Sequence, residues 1–220
     1  MKIEMHCHTK YSPCSNIKVK QLIKQAKQEG LDGVCITDHN CFKGALEAEK
    51  INKDKQFKII KGIEFSTNIG HLIGIFLKKE IIYDKKNQTT EWLINEIHKQ
   101  KGLVILPHPY SFFRLTKTEY EKIKNLEIDA IEIYNGRNYF NFENEQCKEF
   151  ARKLNKPSVA GSDAHFIKEI GTHIIECDNP HIDIKKGKIK IINKKQKNLI
   201  KIIINLFKSG MLKKYKKIIS

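Results

Sequence analysis

Two histidines one residue apart, His6 and His8, close the first apolar run of the chain. Side chains alternate along an extended segment, so both imidazoles fall on one side, where two nitrogens can grip one metal ion. Similar groups recur farther on: Asp38-His39 after GVCIT, Glu64 after Lys-Gly-Ile, His108 between two prolines, and Asp163-Ala164-His165 after Gly-Ser. Alone, each has an ordinary reading. An Asp-His pair can be a capping carboxylate beside a surface histidine, and a histidine between prolines is rigidly placed without being a ligand. Their joint occurrence points to metal chemistry, because carboxylate oxygens and imidazole nitrogens together suit divalent cations.

The elements that must position these groups alternate between strand and helix. Lys2–His6, Gly33–Thr37, Phe57–Lys61, His71–Leu77, Leu103–Leu106, Ala130–Tyr134 and Ser158–Ala160 are short apolar strand candidates. Helical spacing over residues 17–29 follows Asn16, a candidate N-cap, and Gly30 closes the helix. Further helices are expected over Ala45–Lys53, Thr90–Gln100 and Phe142–Leu154, and Thr116 with Glu119 makes a capping-box pattern. This alternation predicts an α/β fold on a parallel sheet, whose chemistry gathers at the carboxyl ends of the strands. His6/His8, Asp38/His39, Glu64, His108, Glu132 and Asp163/His165 all fall at such ends. His173, in THIIEC, reads as an edge-strand residue.

Of 220 residues, 40% are hydrophobic, enough for one sizeable core. No apolar run reaches the ~18–20 residues of a membrane span. The first ten residues lack a signal-type apolar run, and the six cysteines form no C-x-x-C pair. The expectation is a cytoplasmic protein with reduced thiols. The net charge of +16 is unevenly spread: residues 185–220 hold thirteen lysines and no acid, leaving 28 basic and 25 acidic residues elsewhere. A basic tail suits nucleic acid, but heavy Ile and Lys usage fits an AT-rich genome equally well.

HCHTKYSPCS, ITDHN, KGIEFS, LPHPY and GSDAH, in that order, resemble the PHP family (polymerase and histidinol phosphatase domain). The resemblance runs from Met1 to about Asp178. It implies a distorted (β/α)7 TIM-like barrel with two or three divalent ions, Zn, Mn or Fe, at its carboxyl-terminal mouth. Carried over, His6, His8, Glu64 and Asp163 match the ligands of a first metal. Glu64 would bridge to a second, held also by His108 with His71 as companion. His39 and His165 match a third site. Relatives usually supply Asp or His in the loop after H-x-H; here Cys14 stands nearby, either as a ligand favouring a zinc-like metal or as a loop thiol. The candidate catalytic groups are Asp38 as orienter or proton shuttle, His165, and Arg137, either a phosphate fork or an exposed loop residue.

The resemblance implies a metal-dependent phosphoesterase. The favoured activity is hydrolysis of a phosphomonoester, a small anionic metabolite or nucleotide, by a metal-bridging hydroxide. The alternative is an exonuclease or phosphodiesterase on oligonucleotide or nucleic-acid ends, gripped by the tail. A non-catalytic scaffold is opposed by the intact ligand set. Residues 1–184 are expected to form the barrel domain and 185–220 a Lys-rich segment. Leu199, Ile200, Ile203, Leu206 and Phe207 make a helical stripe there, expected to pack on the barrel, with membrane-surface docking as the rival.

Overall fold

Runs of Ile, Val and Leu four to six residues long form strands here because both faces of each are covered. The computed structural model describes residues 1–111, 116–117 and 120–194. Within them the strands are β1 (Lys2–Cys7), β2 (Gly33–Ile36), β3 (Lys58–Thr67), β4 (Gly70–Ile75), β5 (Leu103–Leu106), β6 (Tyr110–Ser111), β7 (Thr116–Lys117), β8 (Ala130–Asn135), β9 (Ser158–Gly161), β10 (His173–Glu176) and β11 (Lys190–Asn193). The helices are α1 (Val19–Gln28), α2 (Lys43–Ile51), α3 (Thr90–Lys99), α4 (Tyr120–Ile123), α5 (Asn141–Lys153) and α6 (Pro180–Lys186). Nine of the described strands form one sheet in the order β11-β10-β1-β2-β3-β4-β5-β8-β9, while β6 and β7 pair separately. A parallel bridge between Cys7 and Ala164 brings the β9 end of the sheet back to β1. The result is the nearly closed TIM-like barrel that the resemblance implied. No helix among the described residues is long and apolar enough to cross a membrane.

The sheet is mixed, which corrects the expectation of a parallel one. β4 is antiparallel to both β3 and β5, and β10 is antiparallel to β1 and β11. The cause at β4 is local. β3 runs on past Lys61 to Thr67, and the chain reverses through Asn68-Ile69 into Gly70, whose φ of +111° favours glycine. β10 is no edge strand, because β11 covers its outer side. Helix α1 starts at Val19 with Lys18 at the N-cap, so Asn16 does not cap it. Buried Ile17, whose carbonyl accepts from the Lys10 N–H (2.8 Å), holds the preceding chain extended. Thr116 lies in β7, and its expected capping partner Glu119 lies outside the described residues. The 184/185 boundary falls inside α6, and β11 beyond it joins the sheet. Residues 195–220, with the expected amphipathic stripe, lie outside the described residues.

Two apolar clusters divide the strands by face. Ile3, Met5, Cys35, Ile60, Ile73, Ile75, Ile105, Ala130 and Val159 fill the barrel interior. Val34, Ile36, Ile63, Phe65, Val104, Leu106 and Ile131 face the helices. Strict alternation from Ile3 and Met5 would put Cys7 inside and His6 outside. A register shift between Glu4 and Cys7 reverses the phase, so Cys7 joins the helix-facing cluster while His6 and His8 turn inward. A second shift, between Glu132 and Tyr134, sends Tyr134 outward and brings Asn135 in.

Burial on β10 leaves His173 only 6% exposed and holds its imidazole down to about 4. The unfolded chain, with an ordinary histidine near 6.5, therefore takes up this proton first. The stability contributed is complete above pH 6.5 and is lost as pH falls toward 4. Replacing the residue, His173→Val, should shrink the loss of unfolding free energy between pH 7 and pH 4 by about 3 kcal/mol, read from urea titrations at each pH. An unchanged loss would show that His173 does not drive acid unfolding.

Candidate metal centre

Glu64 lies within β3, fully buried, and five imidazoles crowd its carboxylate. His71 Nδ1 and His108 Nε2 stand 2.9 and 3.1 Å from Oε1. His39 Nδ1, His8 Nε2 and His6 Nε2 stand 3.0, 3.2 and 3.4 Å from Oε2. Asp163 Oδ1 completes the group, 3.2 Å from His8 Nε2 and 3.5 Å from His6 Nε2. His6 and His8 come from the end of β1, and His39 from just past β2, where it bridges to Glu64. His71 reaches the same mouth because β4 runs antiparallel and presents its amino end there. His108 and Asp163 follow β5 and β9 with φ of +30° and +51°, backbone that costs energy for residues other than glycine.

Surrounding groups take the Nδ1 proton of three of the rings, His6, His8 and His165. Ser12 Oγ donates to Asp38 Oδ1 (2.7 Å) and accepts from the His39 N–H (3.0 Å). Its remaining lone pair can only accept, so His8 Nδ1 is the donor at 3.1 Å and His8 Nε2 bears a lone pair. Glu132 Oε1 likewise takes the Nδ1 proton of His6 (3.1 Å), and the Asp163 carbonyl takes that of His165 (2.7 Å). In the neutral rings His6 Nε2 and His8 Nε2 then face each other at 3.2 Å with lone pairs on both. His39 Nδ1 and His71 Nδ1 are buried without a hydrogen bond, although they stand 3.0 and 2.9 Å from Glu64 oxygens. Converging lone pairs beside two carboxylates need a cation between them, so the donor set fits divalent metal.

The surrounding carboxylates favour positive charge at the same point, whether a proton on a ring or a cation between the rings. Burial works against a charge on His6, yet Asp163, Glu132 and Glu64 outweigh it and raise the imidazole well above its usual value. His8 is raised against the same burial by Asp163 and Glu64. Glu64 is driven well below the carboxylate range, the charges of His71, His39 and His6 overcoming its burial. His39 falls to about 4 through burial, reinforced by His8 and His71. Burial, then His8, also holds His165 well below the histidine range.

Among the described residues, four overlapping groups of candidate ligand atoms result, each within 4.8 Å: His6, Glu64 and His108; His6, His8 and Asp163; His39, Glu64 and His71; and His8, Cys14, His39 and His165. The family model for the PHP domain matches residues 4–209. The chain belongs to the PHP domain family. With that membership it is a metal-dependent phosphoesterase. An uncharacterised protein of Methanocaldococcus jannaschii is 36% identical over 146 residues, spanning 62% of this chain and 82% of that one. A probable phosphatase of Caldicellulosiruptor saccharolyticus is 26% identical over 241 residues, 92% of this chain and 96% of that one. Among solved structures, a two-domain Bacteroides vulgatus protein containing a predicted PHP-like metal-dependent phosphoesterase superposes with a TM-score of 0.70 at 17% identity. This match covers 88% of the chain and 64% of the B. vulgatus protein.

All nine residues named from the sequence as ligands of this PHP centre lie in the four groups. Cys14 is at the exposed rim, where burial of its sulfur, then Asp163 and Glu64, push the thiol up to about 12. Asp38 and Arg137 are buried, so Arg137 is no exposed loop residue. Asp38 spends its carboxylate on the loop after β1, accepting from the Thr9 N–H (2.7 Å), the Thr9 hydroxyl (2.6 Å) and Ser12. Gly44 of α2 lets the helix lie against it: a Cβ there would stand 2.0 Å from Asp38 Oδ2. Arg137 stands 3.7 Å from Glu169, its Nη1 making no hydrogen bond. Sequence reasoning missed Ser12, Asn135 and Glu169. The position of Ser12, four residues after His8, was a usable signal; nothing local marked the other two.

Gly161 tests the packing beneath the PHP centre. A Cβ there would lie 2.4 Å from His6 Cβ and 2.5 Å from Glu132 Oε1, separating the ring from the carboxylate that orients it. Gly161→Ala should cost roughly 10–100-fold in metal affinity, read by chelator competition. Parent-like affinity would show that the His6–Glu132 contact does not govern binding.

Proposed function

We propose that the chain hydrolyses a phosphomonoester, a small phosphorylated metabolite or nucleotide, using divalent cations held by His6, His8, His39, Glu64, His71, His108, Asp163 and His165, with Cys14 as the sulfur ligand of a third position. The observation that carries this reading is the buried carboxylate of Glu64 among five imidazoles. Bound divalent cations supply Lewis acidity toward phosphate oxygens and acidify water. Zinc, manganese and iron all suit the nitrogen and oxygen donors, and the thiol of Cys14 favours zinc at its position.

The chain's own groups do the rest. Glu132 and the Ser12–Asp38 pair hold the lone pairs of His6 and His8 toward the centre. Asp38, with both oxygens engaged, acts by positioning that loop. His165 presents Nε2 because its Nδ1 proton is tied to the Asp163 carbonyl. Arg137, buried with Nη1 lacking a hydrogen bond, binds the substrate phosphate through its planar fork. The near balance of 28 basic and 25 acidic residues outside residues 185–220 supports a small anionic substrate over a long nucleic-acid backbone.

The test is a metal-loaded assay of p-nitrophenyl phosphate, sugar phosphates and nucleotides beside the diester bis(p-nitrophenyl) phosphate. Monoesters should turn over faster than the diester. Glu64→Gln should lower kcat by at least roughly 10²–10³-fold and reduce bound metal measured by atomic emission. Arg137→Ala should raise KM. A diester preference, or full turnover in Glu64→Gln, would overturn the proposal.

A further inference from the structure

Three groups of the site meet at one buried amide. Asn135, at the end of β8, is fully buried, and its Nδ2 donates to Glu132 Oε2 (2.7 Å) and to Asp163 Oδ2 (3.2 Å). Its Oδ1 accepts from the Arg137 N–H (2.8 Å). Carboxylate oxygens accept and a backbone N–H donates, so these partners fix which way the amide faces. Glu132 takes the Nδ1 proton of His6 with its other oxygen, and Asp163 turns Oδ1 toward His8 and His6, 3.2 and 3.5 Å from their Nε2 atoms. The loop is stitched to the segment that delivers Asp163. The Gly136 N–H donates to the Gly161 carbonyl (3.0 Å), and a Cβ on Gly136 would stand 2.3 Å from the Ser162 carbonyl oxygen.

An apolar side chain of the same shape would fill this place at lower cost, because a buried amide must have its hydrogen bonds supplied. The strand is also irregular here: the register shift between Glu132 and Tyr134 is what brings Asn135 in. Both features serve a polar contact and not packing. The two amide protons lie between Glu132 and Asp163, carboxylates that would otherwise repel each other, and they occupy Oδ2 of Asp163 while Oδ1 keeps its aim at the histidines. Resting on the metal and phosphate reading above, we propose that Asn135 is a positioning residue that holds Asp163 as a ligand and sets Arg137 beside it. One side chain thereby ties the group that grips phosphate to the groups that hold cations. It acts through these neighbours.

The experiment reads zinc affinity by chelator competition, and inorganic phosphate binding by calorimetry to the zinc-saturated protein. Asn135→Ala should weaken zinc binding roughly 10–100-fold, as loss of a group that orients a ligand does. The control Ile97→Ala truncates a buried side chain of α3 outside the four ligand groups, and it should bind zinc like the parent however far its melting temperature falls. Parent-like zinc affinity in Asn135→Ala, or a loss no larger than the control's, overturns the proposal. Should Asn135→Ala not fold, Asn135→Leu, which keeps the buried volume, takes its place in the same comparison. For phosphate, Arg137→Ala and Asn135→Ala should each weaken binding, and the double variant should bind about as Arg137→Ala does alone, since the amide acts through the arginine. Fully additive losses overturn the link to Arg137. Unchanged phosphate binding in Arg137→Ala would instead remove the arginine from the phosphate reading, and the zinc measurement would still decide for or against Asn135.

Discussion

Everything at the mouth of this barrel answers to one buried carboxylate. Glu64 has no access to water, yet burial fails to neutralise it, because five imidazole nitrogens lie within 3.4 Å. A lone carboxylate in such a place would take up a proton. Held ionised among ring nitrogens, it becomes the one group common to both sides of the centre. It joins His6 and His108 in one ligand group and His39 and His71 in another. The strands that carry these rings have to arrive around Glu64 from both directions along the sheet.

The ligands are supported by a layer of polar residues that never enters the centre. Glu132 binds His6 with one oxygen, and its other accepts from the His108 N–H and from Asn135. Glu4 accepts from the backbone N–H groups of His6, Ser162 and Gly171, tying β1 to the segment that delivers Asp163. Asp38 does the same for the loop that carries Ser12. Each support is a buried carboxylate accepting several hydrogen bonds, which sets ring orientation and proton position before any cation binds. Glu169 serves Arg137 and His165 together, accepting from the His165 N–H at 2.8 Å.

Charge in this protein is local. The long-range positive character belongs to residues 185–220, whereas the rest of the chain is close to balanced. At the mouth itself the charges are buried ones: Glu64, Asp163 and Arg137.

The side chains that meet at the mouth were legible in the sequence as candidate ligands. His6, His8, His39, Glu64, His108, Asp163 and His165 all sit at or just beyond apolar runs, and run length and residue type are local properties that any window of the chain displays. The direction and phase of the strands were not. Nothing local shows that a bulge between Glu4 and Cys7 turns both histidines of the H-x-H pair inward, or that another near Glu132 exchanges Tyr134 for Asn135. The reversal at Asn68-Ile69, which carries His71 to the mouth, left a usable signal in the glycine that follows, but the partner strands did not. Register, bulges and closure depend on pairing between residues far apart in sequence, such as Cys7 with Ala164. The sequence by itself determined which candidate donors the chain carries; only the nearly closed barrel decided which of them face one another, because that choice is made by long-range strand pairing.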